Sequence, residues 1–326
     1  MTNILIFIIA ILVIATLVQI IRVSELLSEI KNKDVNEVTD KDNSTQGLLF
    51  LIVGFGFLIF VVWQMITWNH LLLPPASSIH GAQIDLLMKV SMGLIIIVFF
   101  ITSPILFYFL YKYRGKKSNK AYFLSHNNKL EVVWTVIPTI ILTALIIFGL
   151  KTWDKAMNVE ISESTKVIEV YGKQFNWTAR YSGIDNKLGK ANYKLVKGKN
   201  TVGVDMLDIN SADDKMTREI HLVVDKPVLL KFRSQDVIHS AFLPHFRVQM
   251  NCVPGMTTQF GFTPTKTTAQ MKESEGVDFE YVLLCNKICG ASHFNMQMKF
   301  IVETQEEYDI WIASQDNLET KLLTQK

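Results

Sequence analysis

The chain has 326 residues, of which 49% are hydrophobic, and it carries a formal net charge of +3. This length and hydrophobicity are enough for several membrane helices and one compact domain. The small, dispersed charge gives no reason to expect a nucleic-acid partner. The three cysteines, Cys252, Cys285 and Cys289, are too few for a disulfide scaffold, and we expect Cys252 to be a small buried residue without a chemical role.

Four apolar stretches predict four transmembrane helices, because roughly 20 apolar residues cross a bilayer as a helix. They cover residues 3–22, 47–68, 90–111 and 132–150. The first stretch could instead be a signal peptide, but such a peptide begins with basic residues. No basic residue precedes Arg22, and we favour a retained helix. The polar residues 23–46 are expected to form a solvated loop.

The distribution of basic residues sets the expected orientation in the membrane. Residues 69–87 contain no Lys or Arg, whereas residues 112–129 contain six basic residues and no acidic one. Because basic loops stay on the cytoplasmic side, everything after Trp153 is expected on the outer side. The sequence thus predicts an integral membrane protein with everything after Trp153 in the periplasm or its equivalent, and we expect the membrane to be a bacterial inner membrane.

From about Lys166 the pattern changes to short alternating runs separated by Gly, Pro, Asn and Asp, which indicates an antiparallel β-sandwich. The candidate strands are residues 166–171, 175–181, 221–224, 228–233, 257–263, 277–284 and 297–303. Residues 182–220 are expected to form a long loop or an inserted ribbon. Residues 306–315 are expected to form a closing helix.

One loop of this region holds two thiols, an imidazole and a thioether within twelve residues. It runs from Cys285 to Met296 with the spacing C-x3-C-x3-H-x2-M, and sulfur ligands favour copper or zinc over hard cations. His239, in Asp236-Val-Ile-His-Ser240, is a candidate for one more ligand from an earlier loop. Two bridging thiolates suggest two copper ions.

Other interpretations of the loop remain open from the residues alone. Cys285 and Cys289 could form a disulfide in an exported domain, which would leave His293 and Met296 without a role. A structural zinc site would use both cysteines, His293 and a distant histidine, and would leave Met296 unused. A mononuclear blue-copper site needs a single cysteine. His293 and Met296 could also be ordinary buried residues.

The motifs D-V-I-H-S, P-H-F-R-V, V-P-G and C-x3-C-x3-H-x2-M, all after a membrane hairpin, resemble subunit II of the haem–copper cytochrome c oxidases. The resemblance covers about residues 88–303. It implies an α+β membrane protein whose transmembrane helices are followed by a cupredoxin-like β-sandwich. The expected divisions are an extension with two extra helices (1–87), a transmembrane hairpin (88–153), and an extracytoplasmic CuA domain with a C-terminal helix (154–326).

In that family the copper motif binds a binuclear, mixed-valence copper centre called CuA. The implied ligands are the bridging thiolates of Cys285 and Cys289, with His239 and Met296 on one ion and His293 and the Lys287 carbonyl on the other. The implied function is to accept electrons from a c-type cytochrome and pass them to a haem in subunit I, where oxygen is reduced and protons are pumped. The haems and a further copper, CuB, would belong to partner subunits of the oxidase.

Glu131 begins the fourth span in Leu130-Glu-Val-Val-Trp-Thr135. An acid at the edge of an apolar helix is usually an interfacial anchor, although ionisable groups in membrane segments are functional candidates. In the family the Glu of L-E-x-x-W-T marks the mouth of a proton-uptake route, the K channel. The resemblance implies this role for Glu131.

Phe175 and Trp177 lie in an aromatic stretch that corresponds to the family's G-x-Q-W-x-W. The first Trp of that stretch is the surface that receives electrons, and here the position holds Phe175. An aromatic edge is kept while the indole is lost, so Phe175 is a candidate for the electron-receiving residue. Trp177 is expected to pack in the core beside the copper site.

Two departures from the family concern a magnesium ion at the subunit boundary. The family commonly has Glu between its cysteines, where this chain has Lys287, and an ammonium group cannot ligate a cation. The family's D-A-x-P-G-R is Asn251-Cys-Val-Pro-Gly-Met256 in this chain. We therefore expect the usual magnesium site to be missing or built differently.

Two other functions compete with the implied one. A quinol oxidase subunit would share the hairpin and sandwich but would lack the copper ligands, which are all present here. A membrane-anchored copper-binding module would bind copper without transferring electrons. The chain has no C-x-x-C-H motif, so it carries no covalent c-type haem and its donor must be a separate protein.

Overall fold

The computed structural model describes residues 2–30, 37–158, 161–162 and 164–318. The chain divides into two units, one made of Met1–Asn69 with Ile95–Asn127 and the other of His70–Leu94 with Asn128–Lys326. The first unit consists of helices and their connections. The second joins helical segments to all of the strands given below.

Four long helices correspond to the four predicted spans. Each is long and apolar enough to cross a membrane. They are α1 (Thr2–Ile30), α2 (Asp40–Trp68), α3 (Ile79–Lys112) and α4 (Asn128–Met157). The prediction of four apolar helices is therefore confirmed, with Pro104 inside α3 and Pro138 inside α4.

The prediction of a solvated loop over residues 23–46 is wrong at both ends of that range, because both ends are helical. Helix α1 continues to Ile30 because its polar end contains no glycine or proline and is rich in leucine and glutamate, which favour helices. Helix α2 begins before its apolar stretch because Thr39 and Asp42 form a reciprocal capping box. The centre of the expected loop, residues 31–36, lies outside the described residues.

Helix α3 also begins earlier than predicted, at Ile79 rather than residue 90. The Ser78 hydroxyl accepts a hydrogen bond from the Gly81 N–H at 3.1 Å and so caps the first turn. Helix α4 continues past residue 150 to Met157. Hydropathy identifies only the apolar part of a helix. The predicted start of α3 and the predicted end of α4 therefore both lie inside the observed helices.

In the first unit, helix α2 packs against the later part of α3. Gly54 faces the ring of Phe107 so closely that an added methyl group would come within 2.2 Å of it. At the polar end of the pair, Arg114 Nε donates to Ser44 Oγ at 3.1 Å, and the Lys117 N–H donates to Asp40 at 2.9 Å. Helix α2 is therefore joined to the later part of α3 and the residues after it by close packing and by polar contacts.

In the described part of the chain, ten strands form two five-stranded sheets. The strands are β1 (Lys166–Lys173), β2 (Asn176–Tyr181), β3 (Lys215–Thr217), β4 (Ile220–Val223), β5 (Val228–Ser234), β6 (His239–Leu243), β7 (Val248–Cys252), β8 (Thr258–Phe262), β9 (Tyr281–Cys285) and β10 (Gln297–Glu303). One sheet has the order β3-β2-β1-β5-β8 and the other the order β4-β10-β9-β6-β7. Together they form a β-sandwich.

Every predicted strand is present, but the prediction missed β3, β6, β7 and a short helix, α5 (Thr268–Glu275). Strand β6 has no β-branched residue and β7 has only Val248, so their strand signal is weak. The expectation of a purely antiparallel sandwich is wrong, because β1 pairs with β5, and β4 with β10, in parallel. The closing helix is present as α6 (Gln305–Ala313).

The apolar core lies between the two sheets. Ile168, Leu230, Leu283 and Phe300 are fully buried there, and burial of each such side chain stabilises the fold by about 1.5–3 kcal/mol. On the opposite face of β1, Tyr171 packs against apolar residues of the long insertion between β2 and β3. The sandwich is thus a packed frame from which the loops of the candidate site project.

Candidate metal centre

The side chains predicted as metal ligands converge at one end of the sandwich. The two cysteine Sγ atoms are 3.8 Å apart, and every other predicted donor lies within 3.8 Å of one of them. The contacts are His239 Nδ1 to Cys285 Sγ at 3.8 Å, the Lys287 carbonyl to Cys285 Sγ at 3.2 Å, His293 Nδ1 to Cys289 Sγ at 3.6 Å, and Met296 Sδ to Cys289 Sγ at 3.8 Å.

Strand pairing produces this convergence. Strand β6 pairs antiparallel with β9, with Ala241 opposite Cys285. The start of β6 and the end of β9 therefore lie side by side at the same end of the sheet. The loop after β9 is closed by a hydrogen bond from the Cys285 N–H to the Met296 carbonyl at 3.1 Å. It turns at Gly290, whose φ of +142° is a conformation that side chains rarely adopt.

The cysteines are free thiols in the structure. The separation of 3.8 Å between Cys285 Sγ and Cys289 Sγ is far from the roughly 2.05 Å of a disulfide bond. Cys252, the third cysteine, is fully buried on β7 opposite His239. The ligand atoms of His239, Cys285 and Cys289 all lie within 4.8 Å of one another, and Cys252 is not part of this group.

The donor set fits a soft or borderline metal ion. Its two cysteines, His239 and Met296 are at most 9% exposed, so a bound ion would be shielded from water on that side. Burial, followed by the neighbouring Cys285 thiol, raises the pKa of Cys289 to about 11. Thiols bind metal as thiolates, so an ion must displace protons to bind here. Copper is an ion that favours sulfur and imidazole ligands together.

Asp236 orients His239. Its Oδ1 lies 2.9 Å from Nε2 of the imidazole, and its Oδ2 accepts a hydrogen bond from the Gln174 N–H at 2.8 Å. With its hydrogen on Nε2, the imidazole presents an unprotonated Nδ1 to Cys285. Burial opposes ionisation of Asp236, but the hydrogen bonds from Gln174 and His239 outweigh it and lower the pKa of this carboxyl.

We expect Asp236→Asn to lower the affinity for copper by about 10- to 100-fold, the usual effect of losing a partner that orients a metal-binding histidine. Asparagine has an amide nitrogen, which only donates, in place of one carboxylate oxygen, so it cannot accept both at the Oδ1 position that faces His239 and at the Oδ2 position that faces Gln174. Copper retention would be measured against a graded chelator, with the exposed Asp278→Asn as the matched control. Equal retention in both variants would show that the carboxylate does not orient the ligand.

The predicted aromatic residues lie beside the centre. Trp177 is 3% exposed, and its ring centroid is 5.7 Å from that of His239, so it packs in the core as expected. Phe175 is partly buried against Gly290, where an added methyl group would come within 2.8 Å of the phenyl ring. Gln174 Nε2 donates to the Cys289 carbonyl at 2.5 Å, which ties this turn to the metal-binding loop.

Glu131 is not part of this group. It is an exposed residue in the first turn of α4, whereas the other end of that helix contacts β8 of the sandwich. A helix of this length spans about 45 Å. Lys287 contributes its carbonyl to the group, while the residue as a whole is exposed.

Asp236 and Gln174 were missed as site residues by the sequence analysis. Asp236 stands three residues before His239, in the same short motif, and that spacing was the available signal. Gln174 is the Q of the stretch that corresponds to G-x-Q-W-x-W, and that motif was the available signal, although its contact with Cys289 joins positions 115 residues apart.

Two sequence models of one family match the chain. The transmembrane domain of cytochrome c oxidase subunit II matches residues 66–152, and the periplasmic domain of the same subunit matches residues 166–304.

Individual relatives agree with this match. An alternative cytochrome c oxidase subunit 2 of Bradyrhizobium diazoefficiens is 29% identical over 272 residues, which are 82% of this chain and 91% of the relative. A cytochrome c oxidase subunit 2 of a Synechocystis species is 26% identical over 285 residues, 82% of each chain. The crystal structure of the periplasmic domain of subunit II of cytochrome oxidase from Bradyrhizobium japonicum shares 23% identity, covers 46% of this chain and 91% of its own, and superimposes with a TM-score of 0.31. Since the two models of one family together match more than half of its residues, the chain belongs to the cytochrome c oxidase subunit II family.

Proposed function

We propose that this chain is the electron-accepting subunit of a respiratory haem–copper oxidase, with a two-copper CuA centre at the end of its sandwich. It accepts electrons from a c-type cytochrome and passes them to a haem in subunit I, where oxygen is reduced and protons are pumped. The observation that supports this most directly is the packing of two thiols, two imidazoles, a thioether and a carbonyl around one Sγ–Sγ pair 3.8 Å apart.

Each proposed ligand has a defined place in this arrangement. Cys285 and Cys289 lie between the other donors and can bridge two ions, and a bound copper pair would supply a one-electron redox couple. His239 and Met296 would complete the ligands of one ion, and His293 with the Lys287 carbonyl would complete those of the other. A single zinc ion or a mononuclear copper site would leave part of this set unused.

The chain's own residues keep the donors in place. Cys285 ends β9 and His239 begins β6, and these strands are hydrogen-bonded in one sheet above a packed core. Ligands held on such a frame move little when the charge of the centre changes, which keeps the reorganisation of the site small. The buried side of the centre excludes water and so helps to set its potential.

Phe175 is the proposed residue through which electrons arrive. Its ring lies against Gly290, immediately after Cys289, and the adjacent Gln174 donates to the Cys289 carbonyl. The aromatic side chain is thereby held next to a bridging thiol. Trp177 packs in the core against His239.

Glu131 is the proposed mouth of a proton-uptake route, at the end of α4 away from the sandwich. We expect Glu131→Ala, and equally Glu131→Gln, to slow proton-coupled turnover by about tenfold or more, because neither side chain can carry a proton at that point. Oxygen consumption would be measured with the copper spectrum recorded in parallel and Glu25→Gln on α1 as control. Unchanged turnover, or an altered copper spectrum, would contradict this role.

The remaining proposals concern location and a second metal. Residues 1–87 would add two helices to the hairpin of residues 88–153, and residues 154–326 would lie on the periplasmic side of a bacterial inner membrane. Lys287 places an ammonium group where the family has a carboxylate, so we propose that the magnesium site at the subunit boundary is missing or differently built. A magnesium ion bound beside residue 287 by a carboxylate of this chain would contradict this.

The proposed function is tested by absorption and EPR spectroscopy of the purified, copper-loaded full chain together with metal analysis. We expect two copper ions per chain and a mixed-valence signal that disappears when a reduced c-type cytochrome is added. Zinc, or one copper ion per chain, would overturn the proposal. A labile Cu(I) site without a near-infrared band would instead favour a copper-binding module that transfers no electrons.

A further inference from the structure

Arg247 fastens the sandwich to the first turns of helix α3 and to the segment before it. Its Nε and Nη2 atoms donate to the two carboxylate oxygens of Asp85, at 2.8 and 3.0 Å, and Nη2 also donates to the Pro74 carbonyl at 2.6 Å. The side chain of Arg247 is 8% exposed and that of Asp85 is 19% exposed. A bidentate pair of this kind is among the stronger and more directional polar contacts in proteins.

The chain around this pair is also held to the sandwich. Residues 77–79 form backbone hydrogen bonds with the turn before Arg247 and with the end of β8, and the ring of His80 packs on Phe260. The hydrogen bonds are Ser77 N–H to the His245 carbonyl at 2.7 Å, Ile79 N–H to the Thr263 carbonyl at 3.1 Å, Thr265 N–H to the Ser77 carbonyl at 2.9 Å, and Ser78 Oγ to the Phe246 carbonyl at 2.7 Å. The first turns of α3 are therefore fixed to the sandwich.

Arg247 is connected through strand β6 to a proposed copper ligand, His239. Strand β6 begins at His239 and is followed by a single turn, Pro244–Phe246, that ends at Arg247. Arg247 itself has a φ of +54°, which is uncommon for a residue other than glycine and persists only where the surroundings enforce it. Because β6 is paired on both sides, by β7 and β9, it is a stiff connection between this ion pair and the ligand.

The sandwich has a second connection to the hairpin, at the end of α4. There Gln259 Nε2 on β8 donates to the Met157 carbonyl at 3.2 Å. This single neutral hydrogen bond is a weaker constraint than a part-buried bidentate ion pair. Arg247 and Asp85 therefore provide the stronger of these two side-chain connections between the sandwich and the helices.

We propose that Arg247 is a positioning residue for electron transfer. By binding Asp85 it fixes the distance and orientation of the metal centre relative to the outer ends of α3 and α4, and through them relative to the electron acceptor in the membrane partner. This inference rests on the proposed function. It predicts that breaking the ion pair slows electron transfer from the metal centre to the acceptor haem. The copper content, spectrum and reduction potential of the centre should not change.

The experiment uses the assembled oxidase carrying the unaltered chain, Arg247→Ala, Arg247→Lys, or the control Arg218→Ala, which changes an exposed arginine. An electron is injected by a flash-excited ruthenium complex, and reduction of the centre and then of the acceptor haem is followed by absorption. We expect Arg247→Ala to slow the second step by about tenfold or more, since small misplacements of reacting groups have effects of at least this size. The rate of the second step in Arg247→Lys should lie between those of the unaltered chain and Arg247→Ala, because an ammonium group keeps the charge without the two parallel hydrogen bonds.

Copper content, spectrum and reduction potential should be the same in all four proteins. An unchanged second step in Arg247→Ala, or a changed spectrum or potential, would overturn the inference. If the alanine variant does not assemble, an unchanged second step in Arg247→Lys overturns it equally. Absence of the two-copper signal in the unaltered enzyme would instead overturn the proposed function, and this inference with it.

Discussion

Cys289→Ser is expected to reduce electron transfer through the centre by more than about 100-fold. Three other proposed ligands surround Cys289, since its Sγ lies 3.6 Å from His293 and 3.8 Å from both Cys285 and Met296. A serine hydroxyl is a hard donor that stays protonated at neutral pH and cannot bridge copper ions as a thiolate does. Loss of a residue that only hydrogen-bonds a metal ligand already lowers metal affinity or activity by about 10- to 100-fold. Loss of a bridging ligand should therefore have a larger effect.

The chain offers its own control for this prediction. Cys252→Ala removes the third thiol, which is fully buried on β7 and lies outside the ligand cluster. We expect this variant to keep two copper ions and near-normal turnover of the assembled oxidase. Both variants would be compared by copper analysis, EPR and oxygen consumption with a c-type cytochrome as donor. A Cys289→Ser protein that keeps the mixed-valence signal would show that this thiolate does not bridge two ions.

The features that the sequence predicted correctly are local or repetitive. The loop of residues 285–296 holds Cys285, Cys289, His293 and Met296 within twelve residues, so their proximity in space follows from their proximity in the chain. The four membrane helices are visible because each has a long apolar stretch. His239 lies 46 residues before Cys285, and it was nominated as a further ligand because it follows a predicted strand and complements the cysteine loop; the family resemblance implies the same role.

The features that were missed depend on contacts between distant parts of the chain. Strand β6 has a weak strand signal, and it forms because β7 and β9 pair with it on either side. The early start of α3 is likewise explained by the docking of residues 77–79 on the sandwich. The ion pair of Arg247 with Asp85 joins positions 162 residues apart, and no pattern within either segment indicates it.

A buried group of four charged residues lies on the outer face of the first sheet, beneath the insertion between β2 and β3. Arg180 Nε donates to Glu169 at 2.9 Å and its Nη1 donates to Asp214 at 2.7 Å, while Arg233 donates to the other oxygen of Glu169 at 2.9 Å. Burial opposes ionisation of Glu169, but the two arginines outweigh it and keep the pKa of this carboxyl below its ordinary value. Burial raises the pKa of Asp214 to about 6 even though Arg180 acts in the opposite direction.

Arg180→Met is expected to lower the free energy of unfolding of the sandwich by about 3–5 kcal/mol, the usual effect of removing one partner from a buried ion pair. Arg180 is 2% exposed, and it is the arginine of this group that donates to Asp214. Its loss leaves that carboxylate buried without a cation beside it. Urea unfolding of the full chain in detergent, followed by tryptophan fluorescence, measures the change.

The double variant Arg180→Met with Asp214→Asn separates the charge effect from lost packing. Removing the stranded carboxylate should recover part of the loss, whereas a pure packing defect would leave the two changes additive. The pH dependence gives a second check. Without Arg180 the pKa of Asp214 in the folded state rises further above 6, so the folded protein binds this proton more tightly than the unfolded chain does and loses stability as the pH rises. The destabilisation by Arg180→Met should therefore be larger at pH 8 than at pH 5, and an equal effect at both would contradict the charge argument.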